Sequence, residues 1–214
     1  MRILPLWLLV LASSASAQSP QPVDCDAVKN STVPVELTYH GQGGGKTIVQ
    51  ATRDKSGVTW IRQEPPSTHP KPTVFVTKTT HINGAIAATD ISTSFAGKYS
   101  HISTIYTLDG FPDNFDRRSD VTYKTHAVAT YGDNTTDEKT TTVVYKFKSE
   151  EKATVGSCVL QVVHGETDTA NDAGRASHSF QLYFPELRIS AADRDAEPIV
   201  DGVSTIFSDI KPVN

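Results

Sequence analysis

The chain has only two cysteines, Cys25 and Cys158, in 214 residues. That excludes the small scaffolds held together by many disulfides, and a chain of this length can bury a core without them. Tryptophan is as scarce, with Trp7 and Trp60 alone. Beyond the first dozen residues no stretch is apolar enough to span a bilayer, which takes about 20 residues. Charge of one sign is also missing. The net charge is −4 at pH 7, and a mildly acidic surface argues against nucleic acid or an anionic membrane as partner. There is no Gly-x-Ser-x-Gly elbow. None of the histidines (His40, His69, His81, His101, His126, His164 and His178) is paired at the i, i+4 spacing of a helical zinc site. No internal repeat or low-complexity tract is present. The expectation is a protein without catalytic activity, cofactor or metal.

The ends carry the next signals. Arg2, the apolar run Ile3 to Leu11 and the small residues Ala15-Ser16-Ala17 read as a secretory signal peptide over 1–17. The mature protein is then expected to be released to the extracellular space, with about two hundred residues, the size of a single β-domain. In that oxidising compartment Cys25 and Cys158 are expected to form one disulfide, closing a long loop worth about 4–5 kcal/mol on a chain-entropy estimate. Two sequons, at Asn30 and Asn134, are expected to carry glycan. Asn134 falls in a predicted turn, where an acceptor has to be.

What is abundant is short alternating segments. After a lead-in over 18–32, a β-domain is expected over 33–190 and a tail over 191–214. Val121 to Tyr131, Thr142 to Lys148 and Cys158 to Val163 alternate β-branched or aromatic residues with polar ones, the signature of half-buried strands. They are expected to form an antiparallel meander. Further strands are read over Val35–Tyr39, Lys46–Arg53, Val58–Gln63, Thr73–Thr80, Ser100–Leu108 and His178–Phe184, with Asp54 to Gly57 and Asn83-Gly84 as turns. Glu64 to Pro72 is too rich in proline for a regular strand. Ala85 to Ala96 reads equally as strand or helical turn. Gly165 to Ala176 reads as a polar loop, and Ser190 to Asp209 as short helices. Many short strands at even spacing mean an all-β fold, a meander barrel or alternatively a β-sandwich.

Three constellations were weighed for chemistry. Gly41 to Thr47 is similar to a phosphate loop, but the lysine follows the wrong spacing and leads into a strand, so a hairpin connection is expected. Asp109, Asp113, Asp116 and Asp120 match no calcium loop and read as a solvated acidic loop. Phe111 and Phe115 in the same loop suggest a lid over a cavity or core. Finally Trp60, Phe75, Tyr106, Tyr123, Tyr145 and Phe180 fall at inward positions of separate strands. They are expected to line a ligand cavity, with Tyr123 and Tyr145 prominent.

The segment Cys158-Val159-Leu160-Gln161-Val162 is of the Cys-x-Leu-x-Val type. With the leader, the many-stranded meander and the few cysteines, it resembles the divergent salivary lipocalins of blood-feeding arthropods over roughly residues 33–190. The resemblance implies a lipocalin-like barrel that sequesters a small amphipathic ligand without catalysis. The competing expectation is a β-sandwich glycoprotein that binds a secreted or cell-surface protein.

Overall fold

The computed structural model describes residues 23–30, 34–40, 46–53, 57–64, 73–95, 98–193, 199–200, 203–204 and 207–213. The leader, the glycine-rich segment 41–45, the turn residues 54–56, the proline-rich segment 65–72 and Ser31 and Thr32 of the first sequon lie outside the described residues.

The chain begins with a short helix, α1 (Cys25–Asn30). Asp24 caps it, its carboxylate accepting from the amides of Asp26 at 3.1 Å and Ala27 at 3.0 Å. Strands follow: β1 (Val35–His40), β2 (Lys46–Arg53), β3 (Val58–Glu64), β4 (Thr73–Ile82), β5 (Ala85–Phe95), β6 (Lys98–Asp109), β7 (Val121–Tyr131), β8 (Thr136–Val155), β9 (Cys158–Asn171), β10 (Ala176–Phe184), β11 (Ile189–Asp193), β12 (Ile199–Val200), β13 (Val203–Ser204) and β14 (Phe207–Pro212). The β4–β5 hairpin turns on Asn83 and Gly84, both at positive φ (46° and 79°). Two such residues in sequence give a turn whose twist matches the strands.

From β1 to β11 each strand pairs antiparallel with the next, and β14 returns to pair with β1 on its other edge. The expected all-β antiparallel meander is therefore present, but hydrogen bonds do not close it into a barrel. Among the described residues β11 and β14, the two ends of the path, do not pair. Of the two readings of Ala85 to Ala96, strand is the one observed, over Ala85–Phe95. Two other local expectations need correction. The polar stretch after Gly165 is not loop, since β9 runs on to Asn171 and β10 starts at Ala176. The tail is strand where it is described, not helix. Phe207 and Ile210 are both buried and three apart, a helical spacing. A β-bulge opposite Thr38 and Tyr39 puts both on one face of a strand instead.

Following the register across the sheet sorts the side chains into two faces. Val35, Leu37, Ala51, Val58, Phe207 and Ile210 share the inner face with Tyr123, Val143 and Tyr145. Leu160, Val162, Leu182, Phe184, Ile189 and Ala191 point from the outer face of β9, β10 and β11. Yet residues of both sets form one buried apolar cluster. The sheet therefore rolls past itself: its β14-β1-β2-β3 end lies over the outer face of its β9-β10-β11 end. Strands in the overlap are covered on both sides, so consecutive residues are buried there: Val162 to Gly165, Leu182 to Phe184, Ile189 to Ala191.

Two devices fasten the overlap. The expected disulfide is present, joining Cys25 of α1 to Cys158 of β9 across 133 residues, with Cα atoms 5.4 Å apart. Arg53 of β2 donates to the carbonyls of Val28 (2.7 Å) and Lys29 (2.9 Å), which end the helix, and of Glu186 (2.8 Å) in the β10–β11 turn.

Candidate functional site: a cavity inside the rolled sheet

Inside the roll, residues of β2 and of β4 to β11 line a cavity of about 500 Å³. One part of its wall is a set of threonines, Thr77, Thr79, Thr125, Thr141, Thr167 and Thr169. They explain why β9 looked like loop in sequence: its alternate threonines face the cavity, while Glu166 and Asp168 on the outer face pair with Lys148 (2.8 Å) and Lys146 (3.4 Å) of β8. Another part is apolar, from Val49, Ala85, Tyr106, Leu108 and Val143. Threonine is β-branched and suits a strand, so this wall is built without breaking the sheet.

The 110–120 loop between β6 and β7 closes one end. Phe115 is buried, meets Tyr145 edge-on at 5.6 Å, and touches Phe111, which leans on Tyr123 at 5.0 Å. The same loop brings in Arg117, 3% exposed and at φ 67°. Its guanidinium carbon stands 5.0 Å from the Tyr145 ring centre, 5.4 Å from Phe115 and 5.9 Å from Phe111. Such faces attract a cation. Nε donates to the carbonyl of Asn83 at 3.2 Å, and the Tyr123 phenol is close enough to the guanidinium to favour its charge. In return the Tyr145 hydroxyl donates to the carbonyl of Arg117 at 2.9 Å. Gly84 leaves room for this packing, because a Cβ there would meet Ser190 at 2.8 Å and Arg117 Nη2 at 3.3 Å.

Among the described residues no carboxylate pairs with Arg117. Burial lowers its pKa from the usual value, opposed chiefly by the neighbouring phenols. His81, also on the cavity wall, is buried and its pKa is pushed down to about 4, first by burial and then by the charge of Arg117. At neutral pH it is an uncharged imidazole. Burial raises the Tyr145 phenol to about 12 and the Tyr123 phenol above its usual value, so both stay protonated. The described part of the cavity thus holds one cation, neutral hydroxyls and apolar surface.

The acidic residues of the loop do other work. Arg118 turns outward to a bidentate pair with Glu150 (2.8 and 2.7 Å) and to Asp116 (3.2 Å). Asp120 accepts from the Phe147 amide at 2.8 Å, beside the bulge of β8. Among the described residues no three His, Cys, Asp or Glu side chains are placed to hold a metal ion.

Of the residues expected to line the cavity, Tyr106 and Tyr123 do so. Tyr145 points inward but lies beneath Arg117, packed against Gly165. Phe180 departs from the expectation: register puts it on the outer face, half-buried and edge-on to His178 at 5.5 Å. The run Phe180, Leu182, Phe184 faces the overlap, not the cavity. Trp60 and Phe75 occupy inner-face positions of β3 and β4, and their side chains lie outside the described residues. Asn134 sits exposed in the β7–β8 turn at φ 65°, and Asn30 is exposed at the end of α1.

No family model, curated protein or solved structure matches the chain. The site therefore has to be read from its own geometry. Sequence reading missed Arg117, His81 and the threonine wall. The signal for Arg117 was at most the two phenylalanines beside it.

Proposed function

We propose that the protein is a secreted, non-catalytic binding protein that sequesters a small amphipathic or hydrophobic molecule in its cavity. The observation that carries this reading is the cavity itself: about 500 Å³, walled by many strands of one sheet, with an apolar side and a few convergent polar groups. Sites for small molecules have this size and this mixture. The disulfide, and the lack of any described helix long and apolar enough to cross a membrane, are compatible with an extracellular protein.

The test uses an uncharged apolar fluorophore, N-phenylnaphthylamine. Titration into the purified chain should give saturable single-site binding with blue-shifted emission. Val143→Trp, which fills the cavity from its wall, should abolish it while leaving the circular dichroism of the sheet intact. Failure of the wild-type protein to bind, or full binding by a folded Val143→Trp protein, would overturn the reading.

A further inference from the structure

Arg117 is the one feature of the cavity that its own surroundings do not explain. A guanidinium placed in a protein interior loses its hydration, and a buried cation is normally matched by a carboxylate. Among the described residues the matching groups are a carbonyl and three aromatic faces, with the Tyr123 phenol near by. Each is an electron-rich dipole or quadrupole and none carries a charge. The guanidinium also lies on the cavity wall. Thr167 lies on the same wall, and its buried hydroxyl has no hydrogen-bond partner among the described residues. Its strand position is directly across from Tyr145, whose ring carries Arg117.

We propose that the ligand is an amphipathic carboxylate, seated with its acidic end at Arg117 and its hydrocarbon body along Tyr106, Leu108 and Val143. This rests on the cavity-binding reading above and specifies the chemistry of its ligand. Charge count decides for a monoanion. His81 is neutral at pH 7, so the described wall offers one positive charge, and a phosphate dianion would leave a negative charge buried in its turn. A guanidinium presents parallel N–H donors that fit a carboxylate. Tyr123 lines the same cavity, and its phenol can donate to such a head group. The ligand then supplies the counter-charge that the described residues lack.

The test is calorimetric titration of the full chain with three probes sharing one twelve-carbon tail: dodecanoate, dodecanol and dodecyl phosphate. Dodecanoate should bind about tenfold or more tighter than dodecanol, and tighter than dodecyl phosphate. Arg117→Met should abolish the preference, so that dodecanoate binds the variant no more tightly than dodecanol does. Equal binding of acid and alcohol by the wild-type protein would overturn the carboxylate assignment while the cavity reading stands. A preference for dodecyl phosphate would replace carboxylate by phosphate and also overturn it. Binding of none of the three, with the uncharged fluorophore still bound, sinks this inference alone; loss of the fluorophore as well sinks both. The comparison of acid with alcohol needs no variant, so a failure of Arg117→Met to fold does not protect the assignment.

Discussion

Arg117 and Arg118 are neighbours in sequence and opposites in setting. Arg118 is exposed and doubly paired with carboxylates, where water screens the attraction. Arg117 is buried with none among the described residues. Replacing a buried ion pair by apolar side chains of similar size is often neutral or stabilising, and removing a buried cation that no carboxylate matches also relieves its desolvation cost. Arg117→Met is therefore expected to leave the ligand-free protein as stable as before, or up to ~2 kcal/mol more stable, in urea unfolding. A loss beyond about 2 kcal/mol would mean that the aromatic faces already balance the charge. His81 gives a pH dependence. The unfolded imidazole takes its proton near 6.5 and the folded one only near 4. Between those values the unfolded chain holds more protons, so stability is full above 6.5 and falls as pH falls toward 4. The total is of order 3 kcal/mol. Unfolding free energies of wild-type and His81→Gln protein at pH 7 and pH 4.5 should show the acid loss reduced in the variant. None of this was legible in the sequence. Nothing in Phe115-Asp116-Arg117-Arg118 distinguishes the arginine that turns in from the one that turns out; a positive φ decides it.

At the scale of elements, the central meander was legible because β7 and β8 alternate cleanly. The strands β1 to β4 and β6 were legible on the same ground, and two features hid the far half of β9, the start of β10 and β14. β9 and β10 are covered on both faces near one end and polar near the other, so their alternation fades in the middle. β14 contains a bulge, which turned a strand into an apparent helix. Gly165 marks where β9 passes beneath Tyr145. Its backbone is not left-handed, so space and not conformation selects glycine: a Cβ would run into the Tyr145 ring. That ring cannot easily yield, being held by Phe115 and by its bond to Arg117. Gly165→Ala should cost about 2–4 kcal/mol. In a double-mutant cycle Tyr145→Leu should cost less in the Gly165→Ala protein than in the wild type. The β7–β8 turn carries a separate expectation. Protein made in a eukaryotic secretory pathway should bear glycan on the peptide containing Asn134, seen as a mass lost on glycosidase treatment. An unmodified peptide there would refute it.

At the scale of the whole molecule, the disulfide and the Arg53 clamp both bridge the overlap of the sheet's ends. Removing the disulfide by Cys25→Ser and Cys158→Ser should lower stability by roughly 2–5 kcal/mol in urea unfolding. A change below about 1 kcal/mol would mean that the apolar cluster and Arg53 hold the overlap unaided. The pairing of β1 with β14 has a consequence in time. Val35 meets Pro212 across almost the whole length of the chain. During synthesis β1 emerges early and can pair with β2 at once, but its other edge waits for a strand made last. At ~5–20 residues per second that wait is on the order of ten seconds or more. Through it, β1 carries an open edge and the apolar side chains of Val35 and Leu37, the combination that invites pairing with the wrong chain. A nascent chain of this protein is thus most exposed to misassembly at its oldest strand, and its ripening is governed by the arrival of its youngest.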